Sequence, residues 1–393
     1  MSKRRISMDA CRDKDEEMVT FCEFMRQAAA GPEGGYYTRH AGIGREGGDF
    51  LTSPETSPAF ATLLALQIGE LDRALGSPDP FYLIEAGPGN GTLMSDLLTI
   101  FRRADPAFFE RVSPILCELP GVLEARQRER LREFELLHPP RWIALPENLA
   151  STSGRAPSDW PEPGQGLVLG NEFLDALPVH RLRIQGGRWE ECYVRAGSEG
   201  VWEEIWGDLS DRELSGLLLE RFGSDLSGWE GQETEVCQDL PRVLSLLDQC
   251  LSSGFMLWID YGDIGSEIRS KRRRGGTLRA YRGHQVSDRL IESPGHTDLT
   301  AFVDFSQVAG DLAVRGYRLE GYTDQMSWLM GLGFEEWIRA NSDRLSDAAI
   351  QEAATLVHPL RMGRIFKVLL MSKAMGPMAP LGGFRFGGLR SPL

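Results

Sequence analysis

The residues best equipped to do chemistry lie in one stretch, FYLIEAGPGNGTLMSDLL, from Phe81 to Leu98. A short apolar run ends at Glu85, and the chain turns through Gly87, Pro88, Gly89, Asn90 and Gly91 into a segment of helical composition. Glycines let a backbone pass close to a ligand where any Cβ would collide, and the first N–H groups of a helix have no partner inside it. Such a turn can receive the polar end of a nucleotide-like cofactor. A Walker loop is excluded, because no Gly-Lys-Ser/Thr is present. A dinucleotide fingerprint asks for a small residue where Thr92 stands, so that helix can pack on strand.

What fits is an acidic residue just before the first glycine followed by G-x-G-x-G, the pattern of class I methyltransferases that use S-adenosylmethionine. Glu85 supplies the acid. The same pattern requires a second acidic residue at the end of the next strand, to bond ribose hydroxyls. Val112 to Cys117 reads as that strand, and Glu118 follows it. The bland alternative is a Gly-rich strand-to-helix turn that binds nothing, and Glu118 in its expected place weighs against it.

Alternating elements must position these residues. Strands are expected at Phe81 to Glu85, Val112 to Glu118, Arg141 to Leu145, Gly166 to Gly170 and Gly254 to Tyr261, with helices at Thr92 to Arg103, Gly121 to Phe134 and Leu240 to Leu251. Strands alternating with helices predict a largely parallel sheet with right-handed crossovers. Later come a strand at Thr277 to His284, a helix at Asp304 to Arg315, and strands at Tyr317 to Thr323 and Ile365 to Ser372, the last two forming an edge pair that includes an antiparallel strand.

Before this core, apolar Met18, Phe21, Cys22, Met25 and Ala29 predict one helix from Glu16 to Ala30, stopped by Gly31-Pro32. A Gly-rich stretch follows to Thr56, and a second helix runs from Thr52–Pro58 to Gly76, capped by Ser53 or Ser57. Gly186-Gly187 between HRLRIQ and RWEECYVR signals a two-residue hairpin. The expected organisation is an N-terminal helical and Gly-rich segment over the active site (1–80), a core of 81–180 and 240–373, an inserted hairpin and helical subdomain (181–239), and a flexible tail (374–393).

Composition narrows the function classes. With 43 Lys and Arg against 57 Asp and Glu, the charge of −14 opposes attraction to nucleic acid or anionic lipid, so neither is an expected partner. Six scattered cysteines without a C-x-x-C pair read as reduced thiols in a cytoplasmic protein. Lys3, Arg4 and Arg5 are followed by no apolar h-region, and the acidic run Asp13 to Glu17 argues against a transit peptide. No histidine spacing suits a metal, so none is expected; His180 and His284 are the two worth testing, and Lys271 to Arg274 reads as a solvated loop.

Beyond the loop, the chain resembles the MidA/NDUFAF7 family, formerly DUF185. The resemblance runs through GYYT (Gly35 to Thr38), GDFLTSPETSPAF (Gly48 to Phe60), EAGPGNGTLMSDLL (Glu85 to Leu98) and NEFLDALPVHR (Asn171 to Arg181). It continues in IDYG (Ile259 to Gly262), TLRAYRGH (Thr277 to His284), DLTAFVDF (Asp298 to Phe305) and MGRIFKVL (Met362 to Leu369). It implies a class I, Rossmann-like methyltransferase fold: an α/β protein with a seven-stranded sheet and added helices and hairpins. It also implies arginine methylation of a partner protein as the activity. Asn90 departs from the pattern, standing where the family commonly has a basic residue.

On this reading S-adenosylmethionine, leaving as S-adenosylhomocysteine, is held by Glu85, Gly87, Pro88, Gly89, Asn90, Gly91, Leu93, Glu118 and Leu119. Tyr36, Asp49, Thr52 and Ser53 of the irregular N-terminal stretch and Asn171 complete the set. Methyl transfer is an in-line displacement that needs alignment and dryness. A guanidinium acceptor must also free a lone pair despite a pKa above 12, which carboxylates can assist. The catalytic candidates are Glu172, Asn171, Glu55 and Asp260, with Asp175 behind them. Their ordinary alternatives are helix capping for Glu172 and Asp175, and a structural hydrogen bond for Asp260. Turn chemistry is the alternative for Asp49 through Glu55, and core closure for Tyr36 and Tyr37. A small-molecule O- or N-methyltransferase, or an assembly factor that binds the cofactor without turnover, are the rival functions.

Overall fold

A computed structural model describes residues 18–31, 34–40, 52–119, 121–146, 155–158, 160–197, 201–282 and 285–386. Seven strands, numbered in chain order, make the main sheet. They are β1 (Phe81–Ala86), β2 (Val112–Glu118), β3 (Arg141–Ala144), β4 (Gly164–Asn171), β5 (Leu251–Asp263), β6 (Tyr317–Asp324) and β7 (Phe366–Lys373). Across the sheet they run β6-β7-β5-β4-β1-β2-β3. β7 is antiparallel to both neighbours, and the pairs among the other strands are parallel. A two-residue strand, Val303–Asp304, adds to the end of β5.

The sheet is covered on both faces, which is why β2 reads VSPILCE without alternation and is buried at all seven positions. On one face the helices Pro58–Ala74 and Thr92–Ala104 set Leu64, Leu97 and Phe101 against Phe81, Leu83 and Leu116. On the other, Leu240–Asp248 and Phe305–Ala313 set Leu244, Leu247 and Val308 against Ile84, Ile115 and Val168.

The insertion after β4 gives four strands to a five-stranded antiparallel sheet whose fifth strand is Met18–Thr20. Its hairpin joins His180–Gln185 to Arg188–Ala196 through Gly186 and Gly187, at φ +60° and +71°. Positive φ at both turn residues matches the twist of the flanking strands. Two more strands, Trp202–Gly207 and Glu233–Val236, which were not expected, and the helix Arg212–Phe222 also lie within the insertion. Leu214, Leu218 and Phe222 of that helix cover Leu182 and Val236.

Three expectations are corrected. The N-terminal helix spans Phe21–Ala30, not Glu16 to Ala30, because Met18–Thr20 pairs as a strand with Tyr193 to Arg195 and Thr20 caps the helix through Glu23 N–H. The second helix is two, Ser53–Thr56 and Pro58–Ala74, broken at extended Ser57, whose hydroxyl caps the longer one. The tail does not run free over 381–386: Leu381 and Phe384 are buried against the helix cluster between β6 and β7 that carries Trp328. Phe384 fills the space over Gly321, where a Cβ would come within 2.3 Å of its ring. That cluster, Gln325–Gly331, Phe334–Asn341, Asp347–Val357 and Met362–Ile365, occupies a stretch to which the sequence assigned no element.

Phe384→Ala is expected to cost about 3–5 kcal/mol, as for other buried phenylalanines. Urea unfolding should show a lower midpoint at unchanged slope; an unmoved midpoint would mean the segment is not part of the core.

Candidate active site

In an open parallel sheet the connections from two neighbouring strands leave in opposite directions at one place, and a crevice opens at their carboxyl ends. Here that place is between β1 and β4. The turn after β1 holds Gly87, Gly89 and Gly91 at φ +65°, +53° and +75°, and the helix Thr92–Ala104 starts at Gly91. A Cβ on Gly87 would lie 2.7 Å from the ring of Phe173, just past the end of β4. Gly91 faces away from the crevice, where a Cβ would press on Gln127 at 3.2 Å.

Gln127, which the sequence did not single out, braces this turn from within the core. Its Nε2 donates to the Gly89 carbonyl (2.8 Å) and to Glu118 Oε2 (3.1 Å), and its Oε1 accepts from Trp142 Nε1 (3.0 Å). It is fully buried, so each bond is made in a low-dielectric setting and leaving one unmade would be costly.

The crevice is a cleft of about 1210 Å³. Of the residues singled out from the sequence, it is lined by Thr52, Glu55, Glu85, Gly87, Pro88 and Gly89, and further along by Asn90, Leu93, Glu118, Leu119, Asn171 and Glu172. Four others stand elsewhere. Tyr36 is buried in the core while Tyr37 faces the cleft, because neighbours on a helical turn point roughly 100° apart. Ser53 is fully buried and donates its N–H to Glu172 Oε1 (2.8 Å) and its hydroxyl to Gln325 Oε1 (3.2 Å). Gly91 packs on Gln127, and Asp260 is a backbone clamp, described below. Asp49 and His284 lie outside the described residues.

The cleft's charges are unusual. Glu85 is buried, its Oε2 has no partner among the described residues, and burial with Glu118 nearby raises its pKa to about 8. Burial raises Glu118 to about 7, against the bonds from the Leu119 N–H (2.8 Å) and Gln127 that favour its charged form. Asn171 Oδ1 is a second buried acceptor without a partner among the described residues. Glu55 is tied down through Thr92, whose hydroxyl donates to Glu55 Oε1 (3.0 Å).

Glu172 follows β4 in the left-handed region, at φ +52°. Its own N–H bonds the Ile259 carbonyl of β5, Oε1 accepts from Ser53 N–H and Asn171 Nδ2, and Oε2 accepts from the Tyr261 hydroxyl (2.8 Å). Burial nonetheless raises its pKa to about 7. Asp260 accepts from the N–H groups of Phe173, Leu174, Asp175 and Tyr261, which saturates its carboxylate with backbone and gives it a structural role in place of the catalytic one expected.

A second cavity of about 290 Å³ adjoins the cleft and shares Tyr37 and Glu172 with it. Its other walls are Asp175, Tyr261, Tyr281, Asp298 and Thr300. Tyr281 and Asp298 are cross-strand partners in a small sheet of Arg279–Arg282, Gln285–Ser287 and Asp298–Thr300. The Tyr37 hydroxyl donates to Asp298 Oδ1 (2.7 Å). His180 sits apart, paired with buried Glu191 at 2.7 Å in the inserted sheet.

Comparison with known proteins gives this geometry relatives. Residues 63–323 match the family model described as "Putative S-adenosyl-L-methionine-dependent methyltransferase". The chain is 32% identical over 374 residues to "Protein arginine methyltransferase NDUFAF7 homolog, mitochondrial" of Drosophila melanogaster, covering 90% of this chain and 81% of that protein. To the Mus musculus protein named protein arginine methyltransferase NDUFAF7 it is 29% identical over 364 residues, covering 88% and 79%. A solved structure from Burkholderia thailandensis, bound to S-adenosyl-homocysteine, superposes with a TM-score of 0.79 at 28% identity, over 95% of this chain and 92% of that one. The curated relatives carry mitochondrial names and lend no support to the cytoplasmic location expected from the sequence.

The buried acids set a pH dependence. Glu85 holds its proton up to about pH 8 in the folded state and releases it near pH 4.5 when unfolded. The stability it contributes is therefore present at low pH and is lost as pH rises through that window. Without ligand, stability is expected to fall from pH 5 to pH 8, and Glu85→Gln to flatten that slope by up to about 1.4 kcal/mol per pH unit. Urea unfolding across the range tests this, and identical slopes for the two proteins would refute the raised Glu85.

Proposed function

The chain belongs to the S-adenosylmethionine-dependent methyltransferases of the MidA/NDUFAF7 family, and from that premise we propose that its acceptor is an arginine of a partner protein. S-adenosylmethionine supplies a methyl group on a sulfonium; when a nitrogen lone pair takes it, the C–S electron pair stays on sulfur and the nitrogen has one proton to lose. The residues present suit that cofactor. Glu85 Oε2 and Asn171 Oδ1, buried acceptors in want of donors, fit its ammonium group, and a cation there offsets what burial costs the Glu85 carboxylate. Glu118 at the end of β2 would take the ribose hydroxyls, while Gly87 and Gly89 keep the turn free of side chains.

The observation that carries the arginine reading is the position of Glu172. Among the described residues it is the one carboxylate that lines both the cofactor cleft and the adjoining cavity. Its orientation is set by the Ser53 N–H and the Tyr261 hydroxyl, and its pKa near 7 lets it take a proton from an acceptor nitrogen at neutral pH. An anionic acceptor would meet carboxylates on this side, whereas a guanidinium is both attracted and relieved of its proton. The curated relatives, named protein arginine methyltransferases, support the same acceptor.

Incubation with methyl-labelled S-adenosylmethionine and fractionated protein extract, followed by acid hydrolysis, is expected to release labelled methylarginine. Label confined to small molecules or to another amino acid would sink the arginine acceptor. Glu172→Gln should lower kcat by about 100-fold or more while S-adenosylhomocysteine affinity changes by less than about threefold. The wild-type rate should climb with pH through about 7, as Glu172 loses its proton. A Gln variant that keeps both kcat and that profile would remove Glu172 from proton transfer.

A further inference from the structure

We propose that the adjoining cavity is the seat of the acceptor guanidinium, with Asp175 as its principal anchor and Asp298 and Tyr281 as its flanking walls; this rests on the arginine reading above. The carboxylates around the cavity differ in how far they are already satisfied. Glu172 accepts from Ser53, Asn171 and Tyr261, and Asp298 accepts the Tyr37 hydroxyl. Asp175 is 5% exposed, and among the described residues its carboxylate takes a bond from the backbone N–H of Ala176 and none from a side chain. A buried carboxylate with one backbone donor still has room for more, and a further donor lowers the cost of its burial.

What arrives must be cationic, rich in N–H groups and small. Among the described residues three carboxylates and three tyrosines wall the cavity, and its lining holds no lysine or arginine. A guanidinium brings five N–H donors in a plane, enough to bond Asp175 and one neighbour together, and its face can lie against a tyrosine ring. The cavity is far too small for a whole ligand, so only the end of a side chain could enter it. A divalent cation is the other class that buried acids attract, but no group of three His, Cys, Asp or Glu among the described residues is arranged to hold one.

The seat is assembled from three parts of the fold. Asp175 belongs to the turn after β4, whose N–H groups are clamped by Asp260, and its carbonyl accepts the Ala301 N–H. Tyr281 and Asp298 face each other across the small sheet, and Tyr37 comes from the N-terminal segment. Because Tyr37 and Glu172 are shared with the cleft, a guanidinium bonded to Asp175 has Glu172 on the cofactor side.

The test uses the full chain loaded with S-adenosylhomocysteine and titrated with Nα-acetyl-L-arginine methylamide, with the citrulline derivative as the neutral isostere. The arginine compound is expected to bind saturably and the citrulline compound not to bind. Asp175→Asn should weaken the arginine compound by about tenfold or more, the scale of a lost charged hydrogen bond. Tyr281→Phe, at a less buried position, should weaken it by about two- to fivefold and guards against a misfolded Asp175 variant. S-adenosylhomocysteine affinity should hold in both. Equal arginine binding by wild type and variants would overturn the seat while leaving the arginine acceptor standing. No binding of either compound, or equal binding of both, would overturn it as well. The acceptor reading fails separately, through the hydrolysis experiment.

Discussion

A single side chain in an unfavourable backbone conformation ties the active site together. Glu172 at φ +52° sits where a non-glycine residue pays about 1–2 kcal/mol. The surroundings hold it there: its N–H is bonded to β5, one oxygen to the Ser53 N–H, the other to the Tyr261 hydroxyl. An ideal turn would aim the side chain elsewhere. Kept as it is, the carboxylate connects the N-terminal segment to the ends of β4 and β5 and stands on the boundary between two cavities. Asp260 supports this from beneath, since three of its four backbone bonds hold the turn from Phe173 to Asp175, directly after Glu172.

The same region gathers Glu85, Glu118, Asp175, Asp260 and Asp298 below the surface, with Glu172 half-buried among them. Desolvation leads the causes that raise the pKa of Glu85, Glu118, Glu172 and Asp175, so their common disadvantage is burial. A fold that keeps so many carboxylates dry gives up stability at neutral pH unless cations come to them. The sulfonium and ammonium of the cofactor and the guanidinium of an acceptor are such cations. The site is thus strained electrostatically in the direction that ligand binding relieves.

Much of the cofactor half was legible in the sequence because its signals are local. Glu85, Gly87, Gly89 and Glu118 are set by where strands end and turns begin, and apolar runs mark those ends. Tyr36 and Tyr37 show the limit: adjacent tyrosines differ only in helical phase, and phase in a five-residue turn cannot be read from one strand's worth of neighbours. Asp260 looked catalytic by its place at the end of a core strand, but only coordinates reveal four N–H groups converging on it. The acceptor half was legible only in part: Glu172 and Asp175 stood out by their place after a core strand, but Tyr37 and Asp298 meet across 261 positions and Tyr281 joins Asp175 at one cavity from far along the chain. The strand Met18–Thr20 was read as helix because its partner, Tyr193 to Arg195, is equally remote.

This division has a physical origin. The alternating core supplies a cofactor cleft at the point where β1 and β4 part, and any sheet of this order would offer one. The acceptor side draws on pieces added around that core: Tyr37 and Ser53 precede the first strand, and Tyr281 and Asp298 lie on a small sheet inserted between β5 and β6. The parallel sheet fixes where the methyl group is offered, and the added pieces decide what can reach it. Sequence drift in those pieces would alter acceptor choice without disturbing Glu85, Glu118 or the glycine turn, because the two sets share only Glu172, Tyr37 and the bonds that hold them.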